Sequence, residues 1–266
     1  MDWITSGIAP LYTIGVKLYN YMLGFSLGFG LNTPQGASST AWAYVSGTLF
    51  PFFQAIAATM LNLFFYIGIC RQVGNLRESM TTETGVNVLI KVLLGNLAIN
   101  SVLWFSKWVF SVTGGVIIGE SDFRGLEDSS VNEVQLMVLM VIGIIFLVIA
   151  IVCAAIIFIT MVGRTIQLYM LAATGPLAVS CIPGGPGIQN AAGAWIKTLL
   201  SKSFSIVVIV MFVVLVSKLN LHAFFGDNIL TDIILPTGCI ENMFMMMLTA
   251  AGVKGADLFL KQTFGI

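Results

Sequence analysis

Charge is scarce in this chain. Of 266 residues, 9% are charged and 58% are hydrophobic, whereas a soluble domain carries about 25% charged residues. That shortage excludes a water-soluble globule and leaves a polytopic, all-α membrane protein. Histidine occurs once, at His222 in a polar loop, where an interfacial residue is expected. Cys70, Cys153, Cys181 and Cys239 are far apart, with no C-x-x-C and no Cys/His grouping. Neither a disulfide framework nor a metal site is therefore expected, and the thiols read as buried in the membrane. Twelve bases balance twelve acids, so the strongly basic surface of a nucleic-acid binder is missing. Gly28-Phe29-Gly30 and Gly184-Gly185-Pro186-Gly187 follow no strand and precede no Gly-Lys-Ser/Thr, so they are not phosphate loops. No nucleophile–base pair or carboxylate pair stands out. The expectation is a non-enzyme with no catalytic residue, cofactor or metal ligand. Asp2 stands where a signal peptide would carry bases, so insertion is expected to rely on internal spans.

What the chain has is apolar length. The stretch 134–163 holds no charge over 30 residues, about 45 Å as a helix, against a hydrocarbon core of roughly 30 Å. Its overshoot lets Arg164 sit at or beyond the far interface, avoiding the ~2.5–3.5 kcal/mol cost of a charge at the bilayer centre. Beyond it, Gly175-Pro176 is expected to kink or break the helix, because proline removes a backbone donor and crowds the preceding turn.

The domain reading is an amphipathic N-terminal segment and loop over 1–40 and a transmembrane domain over 41–266. Spans are expected near 41–70, 86–110, 134–183, 204–221 and 234–253. In the first segment Trp3, Gly7, Leu11, Ile14, Leu18, Met22 and Phe25 form an apolar stripe, opposed by Thr13, Lys17, Asn20 and Gly24. Pro10 is expected to open its main helix. The pattern suits an interfacial or subunit-packed helix; a weak span broken by glycines is the alternative. Ala55, Ala58, Thr59 and Asn62 make a small, polar face on the first span, suited to close packing. Asn96 and Asn100, four apart on the second, suggest either a wet pore face or interhelical hydrogen bonding. Glu241, near the start of the last span, is a candidate intramembrane acid or a snorkelling carboxylate. The loop 111–133 is glycine-rich and then acidic.

With the N-terminus external and 134–183 crossing once, eight of the twelve bases but only Glu78, Glu83 and Asp257 among the acids fall inside. A hairpin turning at Gly163-Arg164 leaves five bases inside. The positive-inside rule favours the single crossing.

This layout resembles the polytopic inner-membrane subunits of type IV secretion systems, the TrbL-type and VirB-type proteins of conjugation machines. The local likeness is the run from Arg164 through Thr165, Ile166 and Gln167 to Gly175-Pro176-Leu177. It is similar to the long helix and Gly-Pro-Leu break of that family and its small Gram-positive relatives. The resemblance implies the bacterial inner membrane, a homo-oligomeric ring at the base of a transfer channel, and contact with other secretion-system subunits including a cytoplasmic ATPase. It also implies staging of a DNA–protein substrate or a pilus subunit. Arg164, Gly175 and Pro176 would then mark the helix break and cytoplasmic contact, and Asn96, Asn100 and Glu241 a pore or packing face. Two other classes compete. A secondary transporter would show discontinuous helices in two repeated halves, and no counterpart of Gly175-Pro176 is evident in the first half. A holin-like channel former would also oligomerise without catalytic residues.

Overall fold

A computed structural model describes the backbone of residues 2–75, 82–114, 135–184, 187–219 and 237–265, and the side chains of 11–70, 85–87, 89–114, 143–184, 187–219 and 241–265. All of its regular elements are helical: α1 (Asp2–Leu31), α2 (Pro34–Ala37), α3 (Ser39–Tyr44), a π turn (Val45–Leu49), α4 (Phe50–Asn75), α5 (Thr82–Gly114), α6 (Gln135–Ser180), a 3-10 turn (Ile182–Gly184), α7 (Asn190–Lys218) and α8 (Thr237–Phe264). Among the described residues, five stretches are long and apolar enough to cross a membrane: Ser39–Cys70, Gly85–Gly114, Gly143–Gly184, Asn190–Lys218 and Glu241–Phe264. They match the five expected spans, with two shifts. The fourth helix begins at Asn190 instead of near 204, so Lys197 and Lys202 ride on it. The fifth runs on to Phe264, past Lys254.

The joints follow local chemistry. Thr33 Oγ1 accepts from Gly36 N at 3.3 Å, and Pro34 opens α2, where a missing N–H costs nothing. Ser38 Oγ caps α3 by accepting from Ala41 N at 3.3 Å. The π turn lies just before Pro51, whose ring would crowd the Gly47 carbonyl in a regular helix. The widened turn relieves that clash, with Phe50 N donating to Val45 O.

Helix α6 is 46 residues long, about 69 Å. It runs unbroken through Gly163 and Arg164, which overturns the alternative of a hairpin turning there. It also continues through Gly175 and Pro176, and the chain leaves the helix only at Cys181. Of the kink or break expected at Gly175-Pro176, a break in the helix does not occur there. Helix α1 likewise includes Pro10 instead of starting there.

The chain divides into two compact units, the first comprising 1–31, 116–163 and 205–259, the second 32–115, 164–204 and 260–266. In the first, α1 buries Tyr12, Val16, Tyr19 and Leu23, a three- and four-residue spacing that lines one helix face. The Tyr12 ring packs at a tilt against Phe146 of α6, 4.6 Å between centroids, and its hydroxyl accepts from Asn242 Nδ2 of α8 at 2.7 Å. The buried face is not the expected apolar stripe, for Ile14 and Phe25 are 49% and 51% exposed. In lipid an apolar side chain loses nothing by facing outward, so tight packing selects the face and hydrophobicity does not. Helix α1 is not among the five spanning stretches.

In the second unit, Trp42 packs on Phe110 and Tyr169, and Tyr169 Oη donates to Pro34 O at 2.6 Å. A Cβ at Gly68 would collide with the carbonyl oxygen of Pro183, so only glycine lets α4 approach the 3-10 turn this closely. Of the thiols expected to be buried, Cys153 is; Cys181 is half-buried in the turn after α6 and Cys70 is exposed. The Cys239 side chain, His222 and the acidic part of the 111–133 loop lie outside the described residues.

Two substitutions test these contacts by thermal unfolding in detergent. Phe146→Ala, at a fully buried ring, should cost about 3–5 kcal/mol. Gly68→Ala should destabilise through backbone collision, whereas Gly47→Ala, with open space around it, should not.

Candidate functional site

The long helices carry many hydroxyls, and most bond within their own helix. Ser26, Thr59, Thr113, Thr160, Thr174, Thr198 and Thr249 each donate to the carbonyl four residues earlier, at 2.6–3.2 Å. A hydroxyl has one proton, so one such bond removes its need for water. Carboxamides cannot be satisfied in this way, having two donors and an acceptor.

Helices α4 and α5 bring three carboxamides together. Gln54 Nε2 donates to Asn100 Oδ1 at 2.7 Å. Asn100 Nδ2 donates to Asn96 O at 3.0 Å and to Asn96 Oδ1 at 3.2 Å. Asn96 and Asn100, placed by sequence on one face, therefore do meet, and both are exposed. Gln54 was missed in the sequence; its signal was the single amide in the run 50–61. Asn62, two turns beyond Gln54, is exposed and makes no hydrogen bond among the described residues. Around these amides the surface is apolar: Leu93, Leu97 and Trp104 are 61%, 68% and 69% exposed. Unsatisfied amide donors embedded in an apolar spanning surface call for a cover, since bare polar groups in hydrocarbon cost several kcal/mol each.

Arg164 lies elsewhere in the same unit and does not face outward. It is 7% exposed; its Nε donates to Lys202 O and an Nη to Ser203 O of α7, both at 3.0 Å. The cation expected at or beyond the far interface is, within the fold, a clasp between two helices. Its planar fork reaches two successive carbonyls, which a single ammonium cannot reproduce.

Gly175 and Pro176 also act in packing. Proline supplies no N–H, so the Ala172 carbonyl loses its helical donor. Beside it the indole N–H of Trp195 donates to Leu171 O at 3.0 Å. A Cβ at Gly175 would lie 2.6 Å from Trp195 Cζ2 and 2.5 Å from Val102 Cγ1. Glycine admits the indole edge, and the surrounding packing, with Ala172 and Ala173 fully buried, holds α6 helical through the proline.

Glu241 belongs to the other unit, half-buried near the start of α8 and with a partner of its own, so it is not part of the amide cluster. Its neighbour Asn242, 9% exposed and bonded to Tyr12, is the buried polar residue that sequence reading passed over. No group of three or more His, Cys, Asp or Glu able to hold a metal occurs among the described residues.

Fold and site together define the class: an all-helical, polytopic integral membrane protein whose distinctive surface is an exposed amide cluster on two spanning helices. No known protein family, curated protein or solved structure matches the chain.

Replacing the clasp should grade stability. Arg164→Lys should lower the melting temperature in detergent, and Arg164→Ala should lower it further, with a stability loss of roughly 1.5–3 kcal/mol for each hydrogen bond to the charged group. Equal melting of all three proteins would remove the clasp from the account.

Proposed function

We propose that this protein is a non-enzymatic, homo-oligomeric channel or scaffold subunit of a bacterial secretion machine, of the conjugative type IV kind that its layout resembles. The observation that carries the oligomer is the amide cluster of Gln54, Asn96 and Asn100, with Asn62 beside it. Second copies of the chain can complete these hydrogen bonds, or several copies can enclose them around water. Either arrangement removes bare amides from lipid. The overlong α6 supports the reading too: a helix of about 69 Å exceeds a bilayer and can extend toward other machine parts, including a cytoplasmic ATPase. In this reading the protein sits in the inner membrane with its N-terminus outside and stages a DNA–protein substrate or pilus subunit.

The assembly is tested on the purified chain. Wild type should be oligomeric by cross-linking in mild detergent. Asn96→Leu with Asn100→Leu should shift it toward monomer, at about 0.6–2 kcal/mol per lost interhelical amide. A cysteine at Leu97, 68% exposed, should form disulfide-linked dimers in membranes. An unchanged oligomer in the double variant would remove the amides from the interface.

Orientation is tested by external thiol labelling in intact cells after removal of the native cysteines. Gly187 has φ +94°, which makes a cysteine there strained, so the exposed Gln189 is the better position. A cysteine at 189 should be shielded while one at Ser39 labels; the reverse pattern inverts the topology. Deletion should abolish conjugative transfer in the host, and undiminished transfer would remove the secretion role.

A further inference from the structure

Helices α6 and α8 leave an open groove on the first unit, of about 410 Å³ and lined by Val148, Val152 and Ile156 on one side and Met247, Ala251 and Lys254 on the other. The small side chains of Ala250 and Ala251 leave the space; every other wall residue is apolar except Cys153 and Lys254. Lys254 is the first charge after the uncharged run 242–253. Its ammonium is exposed and bonds to no carboxylate among the described residues. One cation thus stands at an apolar slot on two membrane-spanning helices.

We propose that this groove is a binding site for one anionic phospholipid, with an acyl chain along the slot and the phosphate on Lys254. The slot runs about 12 Å along α6 from Val148 to Ile156, and its hydrocarbon walls suit an acyl chain. Charge argues for the headgroup, because a basic residue at a pocket between spanning helices attracts anionic lipid. A long lysine stem can lie along apolar surface and carry its ammonium toward the headgroup region. The site is separate from the amide cluster, which belongs to the other unit.

The test uses the full chain in phosphatidylcholine vesicles containing a minor fraction of phosphatidylglycerol that carries a photoreactive acyl chain. Peptides covering 148–156 and 247–254 should be labelled above the other spans, and unlabelled phosphatidylglycerol should compete where added phosphatidylcholine or inorganic phosphate does not. Lys254→Glu should reduce labelling there at least about fivefold, and Lys254→Arg should retain it. Ala251→Phe, at an exposed wall position, should block the slot without altering the core. Equal labelling by a photoreactive phosphatidylcholine would overturn headgroup recognition. Labelling no higher than on other spans, or cross-links between copies at these positions, would overturn the lipid site itself.

Discussion

In hydrocarbon, every polar group of this chain has to find its partner inside the protein or in another copy of it. Backbone groups do so by forming helix through all the spanning stretches, and the hydroxyls by donating to the carbonyl one turn back. Among the buried side chains, Ser106 and Ser203 Oγ are exceptions to that economy. Larger polar groups cannot be satisfied locally, and they are where helices are tied together. Arg164 bridges α6 to α7, Trp195 bridges α7 back to α6, Tyr169 reaches the Pro34 carbonyl, and Asn242 holds Tyr12. The amides of Gln54, Asn96 and Asn100 satisfy one another only in part, and with Asn62 they lie on an otherwise apolar face of α4 and α5.

Close approach does the rest of the holding. Since lipid is as apolar as leucine, burial of apolar surface drives these helices together only weakly, and contact quality decides. The chain meets that demand with glycine and alanine where helices cross: Gly68 under the Pro183 carbonyl, Gly175 against Trp195, Ala172 and Ala173 at zero exposure. Large apolar residues such as Ile145, Val148 and Ile159 face outward instead.

Helical class, span number and the overlong central helix were legible in the sequence, because a run of thirty uncharged residues admits few other structures. That Asn96 and Asn100 share one face was legible from their spacing alone. Which face of α1 packs was not, since apolar residues ring that helix and Tyr12 and Tyr19 look polar enough to face out. How the helix continues through Pro176 was not legible, because it involves Trp195, nineteen residues on, whose indole occupies the space above Gly175. The partners of Arg164 were hidden for a related reason. Charge sets a price for burial, but only the fold shows that two α7 carbonyls meet it.

The proline in α6 also has a meaning in time. Residues 164–180 precede Trp195, Lys202 and Ser203 in the chain, so the bonds that tie α6 to α7 around Pro176 and Arg164 are available only once α7 has been made.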